Sequence, residues 1–209
     1  MAARATNVEV EEKFAVSLDR DAFSARVASL GGAVTSSVSF RDEYFDTADL
    51  ALTTRDTWLR RRDGAWELKI PHGERRASGG ETTVFKEVEE ESAIVAELAA
   101  LGVTGDAPLP FASLAVFADF TTRRDKYALD GVKIDVDDAN YGIDGASHKV
   151  LELEVMTNGD DDDVARARRE IAAAAGALSC EPLPAGGGGK LETFLRRFRP
   201  DHARAIGLL

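Results

Sequence analysis

In Val8-Glu9-Val10-Glu11-Glu12-Lys13-Phe14, the chain begins with the two-residue alternation of a β-strand. Successive strand side chains face opposite sides, so Glu9, Glu11 and Lys13 share one face. Val8, Val10 and Phe14 turn to the other, toward a core. Four later stretches repeat the arrangement. Arg60 and Arg62 share a face beside Leu59, and Glu67 and Lys69 flank Leu68. Asp135 and Asp137 bracket Val136, and Glu152 and Glu154 bracket Leu153. The signs segregate, with acidic pairs on three strands and basic or mixed pairs on two.

Two architectures accommodate such strands. One is an open antiparallel sheet with its charged face in water. The other is a barrel with the charged faces turned inward. A charged lumen is tolerable only where the charges meet one another, water or a ligand. The ligand that suits both signs is a polyanion accompanied by a divalent cation. Carboxylates hold a hard metal ion, and Arg and Lys hold phosphate oxygens. That combination describes phosphoryl transfer without a covalent protein nucleophile.

The rest of the chain reads as strands with interspersed helices. A helix is expected over residues 19–30, ended by Gly31-Gly32. Strands are expected at 33–40, 42–46, 58–62, 66–70 and 82–88, with a Gly-rich loop at 71–80. A helix at 94–101, a loop marked by Pro108 and Pro110, and a short helix at 111–116 come next. Strands follow at 117–125, 127–129, 132–137 and 149–156. Asp160 to Asp163 read as a solvated helix start, because carboxylates favour a helix N-terminus. That helix runs to Leu178, and a last one spans 191–199 before Pro200. The expected class is a single α+β domain over residues 1–209, built on antiparallel strands.

Composition removes several alternatives. The 209 residues carry 37 Asp plus Glu against 26 Lys plus Arg, a formal charge of −11. That field disfavours non-specific binding to nucleic acid or an anionic membrane. A single cysteine, Cys180, rules out an intrachain disulfide and a cysteine-based zinc site. No stretch approaches the roughly 20 apolar residues of a membrane span, and residues 1–7 lack the apolar core of a secretory signal. A cytoplasmic monomer is expected. Gly186 to Gly189 before Lys190 do not make a P-loop, since Pro184 and Leu191 occupy two of its required positions. His72 and His148 are expected at the surface, and Cys180 as a small packed residue.

The strand motifs also carry a resemblance. Glu9-Val10-Glu11-Glu12-Lys13 is joined in order by Phe40-Arg41-Asp42-Glu43-Tyr44-Phe45-Asp46-Thr47, Trp58-Leu59-Arg60-Arg61-Arg62 and Trp66-Glu67-Leu68-Lys69. The paired carboxylates and Lys190 with Leu195-Arg196-Arg197-Phe198-Arg199-Pro200 complete the set. From about Val8 to Pro200 the chain resembles the CYTH superfamily of triphosphate tunnel metalloenzymes, and within it the animal-type thiamine triphosphatases. The resemblance implies a closed eight-stranded antiparallel β-barrel flanked by helices, taking a small-molecule triphosphate and Mg²⁺ or Mn²⁺.

By position, Glu9, Glu11, Asp135, Glu152 and Glu154 match the family's metal-side acids. Lys13, Arg60, Arg62, Lys69, Arg124 and Lys190 match its phosphate-binding bases. Asp137 and Glu87 match further tunnel acids, and Lys86 lies next to a tunnel position. Lys69 and Tyr44 match a catalytic Lys–Tyr pair, and a Lys69 base lowered by neighbouring Arg would favour alkaline conditions. Trp58 matches an aromatic that stacks on the thiazolium ring, with a core Trp as the alternative. Leu191 stands where the family has a longer apolar side chain, and the four glycines before it also depart from the pattern. Hydrolysis of thiamine triphosphate is the leading expectation. Inorganic tripolyphosphate hydrolysis, ATP cyclisation and a non-catalytic polyphosphate-binding module are the alternatives.

Overall fold

The computed structural model describes residues 7–73, 82–103, 111 and 113–209. Eight antiparallel strands close into a barrel. They are β1 (Val8–Ala15), β2 (Ala33–Asp46), β3 (Trp58–Arg62), β4 (Ala65–Pro71), β5 (Thr83–Val88), β6 (Ala115–Leu129), β7 (Val132–Asn140) and β8 (Ser147–Thr157). Their order is β5-β4-β3-β2-β6-β7-β8-β1, and pairing of β1 with β5, from Val8↔Lys86 to Glu11↔Thr83, closes the ring. A two-residue strand, β9 (Glu181–Pro182), extends one edge of β1.

The expected strand parity decides which face is which. Val10, Leu59, Leu68, Ile134, Leu151 and Leu153 are all buried, yet they lie on the outside of the barrel wall under helices. Helix α1 (Arg20–Ser29) contributes Phe23 and Val27, and α3 (Asp161–Leu178) contributes Ala167, Ile171 and Leu178. On another side α2 (Glu91–Ala100) lays Ile94 and Leu98 over Phe45, Leu59, Leu68 and Val88. Each fully buried Val, Leu or Ile contributes roughly 1.5–3 kcal/mol. The apolar stabilisation therefore sits around the barrel and leaves its lumen to the charges.

One mouth carries a third apolar group. Phe194 of α4 (Lys190–Phe198) packs with Tyr44, Phe120, Ala139 and Tyr141. Pro200 both ends α4 and starts α5 (Pro200–Ala205), as its fixed φ suits a first helical turn. Helix α5 is pinned by a buried chain: His202 Nε2 lies 2.8 Å from Thr53 Oγ1, which donates to Asp46 Oδ2 at 2.6 Å.

Some boundaries differ from the sequence reading. The stretches 33–40 and 42–46 form one strand, because Arg41 keeps the alternation with its side chain outside, paired to Asp119. Residues 117–125 and 127–129 likewise merge into β6. The expected helix at 111–116 is not formed: Ala115 and Val116 already pair with Asp46 and Phe45 of β2. The loop positions Pro108 and Pro110, and most of the 71–80 loop, lie outside the described residues. Asp160 caps α3, its side chain accepting from the Asp163 amide at 2.8 Å. Among the described residues no helix is long and apolar enough to cross a membrane.

Candidate active site

The lumen is built by parity from all eight barrel strands and by α4 from the mouth. Lys13 of β1 contacts Glu11 on its own strand. Arg62 of β3 forks onto Asp42 of β2 at 2.7 and 2.8 Å. Arg60 pairs with Glu67 of β4 at 2.7 Å. Lys69 bridges Glu9 of β1 and Glu87 of β5, the latter at 3.0 Å. Arg124 of β6 forks onto Asp137 at 2.6 and 2.7 Å and also reaches Asp135 and Glu152, the last at 2.8 Å. Lys190, the first residue of α4, contacts Asp137 and lies 3.1 Å from Glu152. Each of these six bases thus meets a carboxylate, and the named acids outnumber them.

The surplus acids gather on one wall. Glu9, Glu11 and Glu154 are buried, and each offers a carboxylate oxygen within 4.8 Å of the others. Burial acts against ionisation of Glu9, but Lys69 outweighs it and holds the carboxyl down to about 2. For Glu154 the relief from Arg124 is too small, and burial together with the charge of Glu9 pushes it up to about 8. Three hard oxygen donors crowded to the point where one retains its proton are the donor set a divalent cation relieves. The residues present fit such an ion.

That crowding has a measurable consequence. Folded Glu154 keeps its proton to about 8, against an ordinary value of 4.5. Its contribution to stability is complete below the lower value and is lost as pH rises through the upper one. Chelator-treated protein is therefore expected to melt progressively lower between about pH 5 and 8. A melting temperature flat across that window would contradict it.

Comparison with known proteins follows the same geometry. Residues 7–181 match the CYTH domain. The chain belongs to the CYTH domain family. It is 34% identical to a thiamine-triphosphatase of Macaca fascicularis over 221 residues, covering 95% of this chain and 89% of the relative. It is also 34% identical to the Homo sapiens thiamine-triphosphatase, over 223 residues with the same coverage. Among solved structures, a Bacillus halodurans protein assigned as an adenylate cyclase superposes with a TM-score of 0.56 at 19% identity, over 94% of this chain and 100% of that one. A Hippeastrum protein assigned as an adenylyl cyclase, described as having a dominant triphosphatase activity, superposes with a TM-score of 0.53 at 16% identity, over 91% of this chain and 95% of that one. Both share the barrel.

Within the CYTH barrel, strand parity puts the paired acids and bases of β1, β3, β4, β7 and β8 on the lumen side. Two expectations need correction. Burial and Arg60 push Lys69 down, but Glu9, Glu87 and Glu67 outweigh them, so its pKa stands above that of free lysine. Among the described residues Lys69 and Tyr44 share no hydrogen bond. Tyr44 is buried among Phe117 and Phe120, its phenol pushed up chiefly by burial. Lys86 turns out of the CYTH lumen to Glu97 of α2. Trp58, half-buried, belongs to none of the three apolar clusters, whereas Trp66 packs on the outer core. Its indole N–H donates to Asp56 at 2.9 Å, and its cross-strand neighbour is Lys69.

Other residues emerged only in three dimensions. Asp42 partners Arg62, and parity carried through Arg41 of β2 would have found it; Glu67, already read from parity, gains Arg60 as its partner. The histidines expected at the surface are half-buried and bonded: His72 to the Gly159 carbonyl at 2.8 Å, His148 to that of Gly188 at 2.9 Å. Tyr141 donates to the Lys190 carbonyl at 2.8 Å. The glycines before Lys190 permit a close approach, since a Cβ on Gly189 would lie 2.7 Å from Lys13 Cε. Together these contacts fix the entry of Lys190 into the lumen.

Proposed function

We propose that the lumen binds a small triphosphate and that the chain hydrolyses its terminal phosphoanhydride, with thiamine triphosphate as the leading substrate. The observation that carries this reading is the closed lumen itself, where six bases converge beside the Glu9, Glu11 and Glu154 cluster. The names of the two curated relatives support the choice of substrate. Mg²⁺ or Mn²⁺ would be held by Glu9, Glu11 and Glu154, with Asp135 and Glu152 on the same side, and would supply charge neutralisation at the phosphates.

The protein groups supply position and charge. Lys13, Arg60, Arg62, Arg124 and Lys190 clamp phosphate oxygens, exchanging part of their carboxylate contacts for the ligand. Asp42, Glu67, Glu87 and Asp137 keep those bases oriented in the meantime. Lys69, held protonated by its carboxylates, serves the reaction as a cation on the terminal phosphate rather than as a base. Tyr44, kept as the neutral phenol, is a donor at the aromatic end. All of these residues come from the barrel and α4 of one chain, so a single chain supplies the whole set.

Trp58 carries the distinction between an organic and an inorganic triphosphate. An indole face beside the lumen attracts a thiazolium cation by roughly 0.5–2 kcal/mol. Rates of phosphate release from thiamine triphosphate, tripolyphosphate and ATP should favour the first in kcat/KM. Trp58→Ala is expected to lower that preference by about 2- to 30-fold while leaving tripolyphosphate turnover unchanged. Equal losses on all three substrates would return Trp58 to a packing role.

A further inference from the structure

We infer that Thr122 is a further ligand-contact residue of the lumen, its hydroxyl donating to a phosphoryl oxygen of the bound polyphosphate. The inference rests on the triphosphatase reading above. Thr122 lies on β6 between Phe120 and Arg124, and strand parity places it on the same inward face as both. It is 1% exposed, and its Oγ1 has no hydrogen-bond partner. Its cross-strand neighbours, Phe40 on β2 and Ala139 on β7, offer no side-chain acceptor. A buried hydroxyl without a partner costs stability that a valine of the same shape would not.

The surroundings identify the missing partner. The Phe40 ring lies 3.7 Å from the Arg62 guanidinium and 5.5 Å from that of Arg124, measured to the ring centroid. Two bases proposed to hold phosphate thus converge on the wall that contains Thr122. Beside two guanidinium cations the atom that is stabilised is an anionic oxygen, and against such an acceptor the threonine hydroxyl is the donor. Arg62 and Arg124 already donate to Asp42, Asp135, Asp137 and Glu152. The Thr122 hydroxyl, by contrast, is uncommitted and available to the ligand without breaking an existing bond.

Calorimetric titration with tripolyphosphate, on the wild type, Thr122→Val and Thr122→Ser, tests the assignment alongside the melting temperature of each unliganded protein. Thr122→Val should weaken binding by about 10-fold or more, the value of a hydrogen bond to a charged acceptor. Its unliganded melting temperature should be unchanged or higher, and Thr122→Ser should bind within a few-fold of wild type. Wild-type affinity in Thr122→Val overturns the hydroxyl assignment alone. So does a loss that Ser fails to restore and that accompanies a lower melting temperature, which marks a packing role. A wild-type protein that binds neither tripolyphosphate nor thiamine triphosphate overturns the triphosphatase reading, and this inference with it.

Discussion

Glu9→Gln is expected to abolish metal-dependent turnover, by on the order of 10²–10³-fold, while the protein stays folded. The substitution keeps the shape and removes one of three carboxylates in the Glu9, Glu11 and Glu154 cluster. An amide offers a divalent cation a weaker donor and no charge. It also removes the anion that helps push Glu154 up, so the isolated variant gains back some of the stability that like-charge crowding takes away. Lys69 keeps Glu87 at 3.0 Å and is not orphaned. Steady-state rates over a Mg²⁺ titration, with a melting curve on the same sample, separate the two effects. Full activity in a folded Glu9→Gln protein would remove this cluster from the reaction.

Arg124→Met should strike stability as well as activity. Arg124 is 7% exposed and holds Asp135, Asp137 and Glu152 simultaneously. Methionine fills similar volume but leaves Asp137 and Glu152 to Lys190 and Asp135 to the weaker field of Lys126. Removing one partner from a buried charge network costs about 3–5 kcal/mol, a fall of about 6–20 °C in Tm for a chain of this size. The deficit should shrink as the pH falls, because uncompensated acids take up protons in the folded state at higher pH than in the unfolded chain. Arg124→Lys restores the charge without the fork onto two carboxylates, so it should recover stability further than affinity for phosphate. A pH-independent Tm loss in Arg124→Met would point to packing instead.

Strand parity made most of the charged lumen legible. Glu9, Glu11, Lys13, Arg60, Arg62, Glu67, Lys69, Asp135, Asp137, Glu152 and Glu154 all follow from side chains two apart sharing a face. Parity does not say which face is enclosed. That depends on the pairing of residues 8–11 with 83–86, a contact between distant segments that leaves no local trace. Asp42 was lost where Arg41 made one strand look like two. Arg124, Lys190 and Tyr44 rested on resemblance, since a base at a helix start or late in a long strand has no distinctive spacing. Thr122 reads as an ordinary strand threonine until its unpartnered hydroxyl is seen inside the wall. The Lys69 pKa went the other way for a similar reason: Arg60 is near in sequence, but Glu9 arrives from another strand.

In the proposed reaction this lumen hydrolyses a triphosphate with the help of a divalent cation. Phosphate release from thiamine triphosphate, followed after chelation and then through a Mg²⁺ titration, tests it most directly. One phosphate per substrate, absent in chelator, restored by the ion and stopping at the diphosphate, is the predicted result. No release from thiamine triphosphate at any Mg²⁺ concentration, or release that chelation leaves untouched, would contradict it.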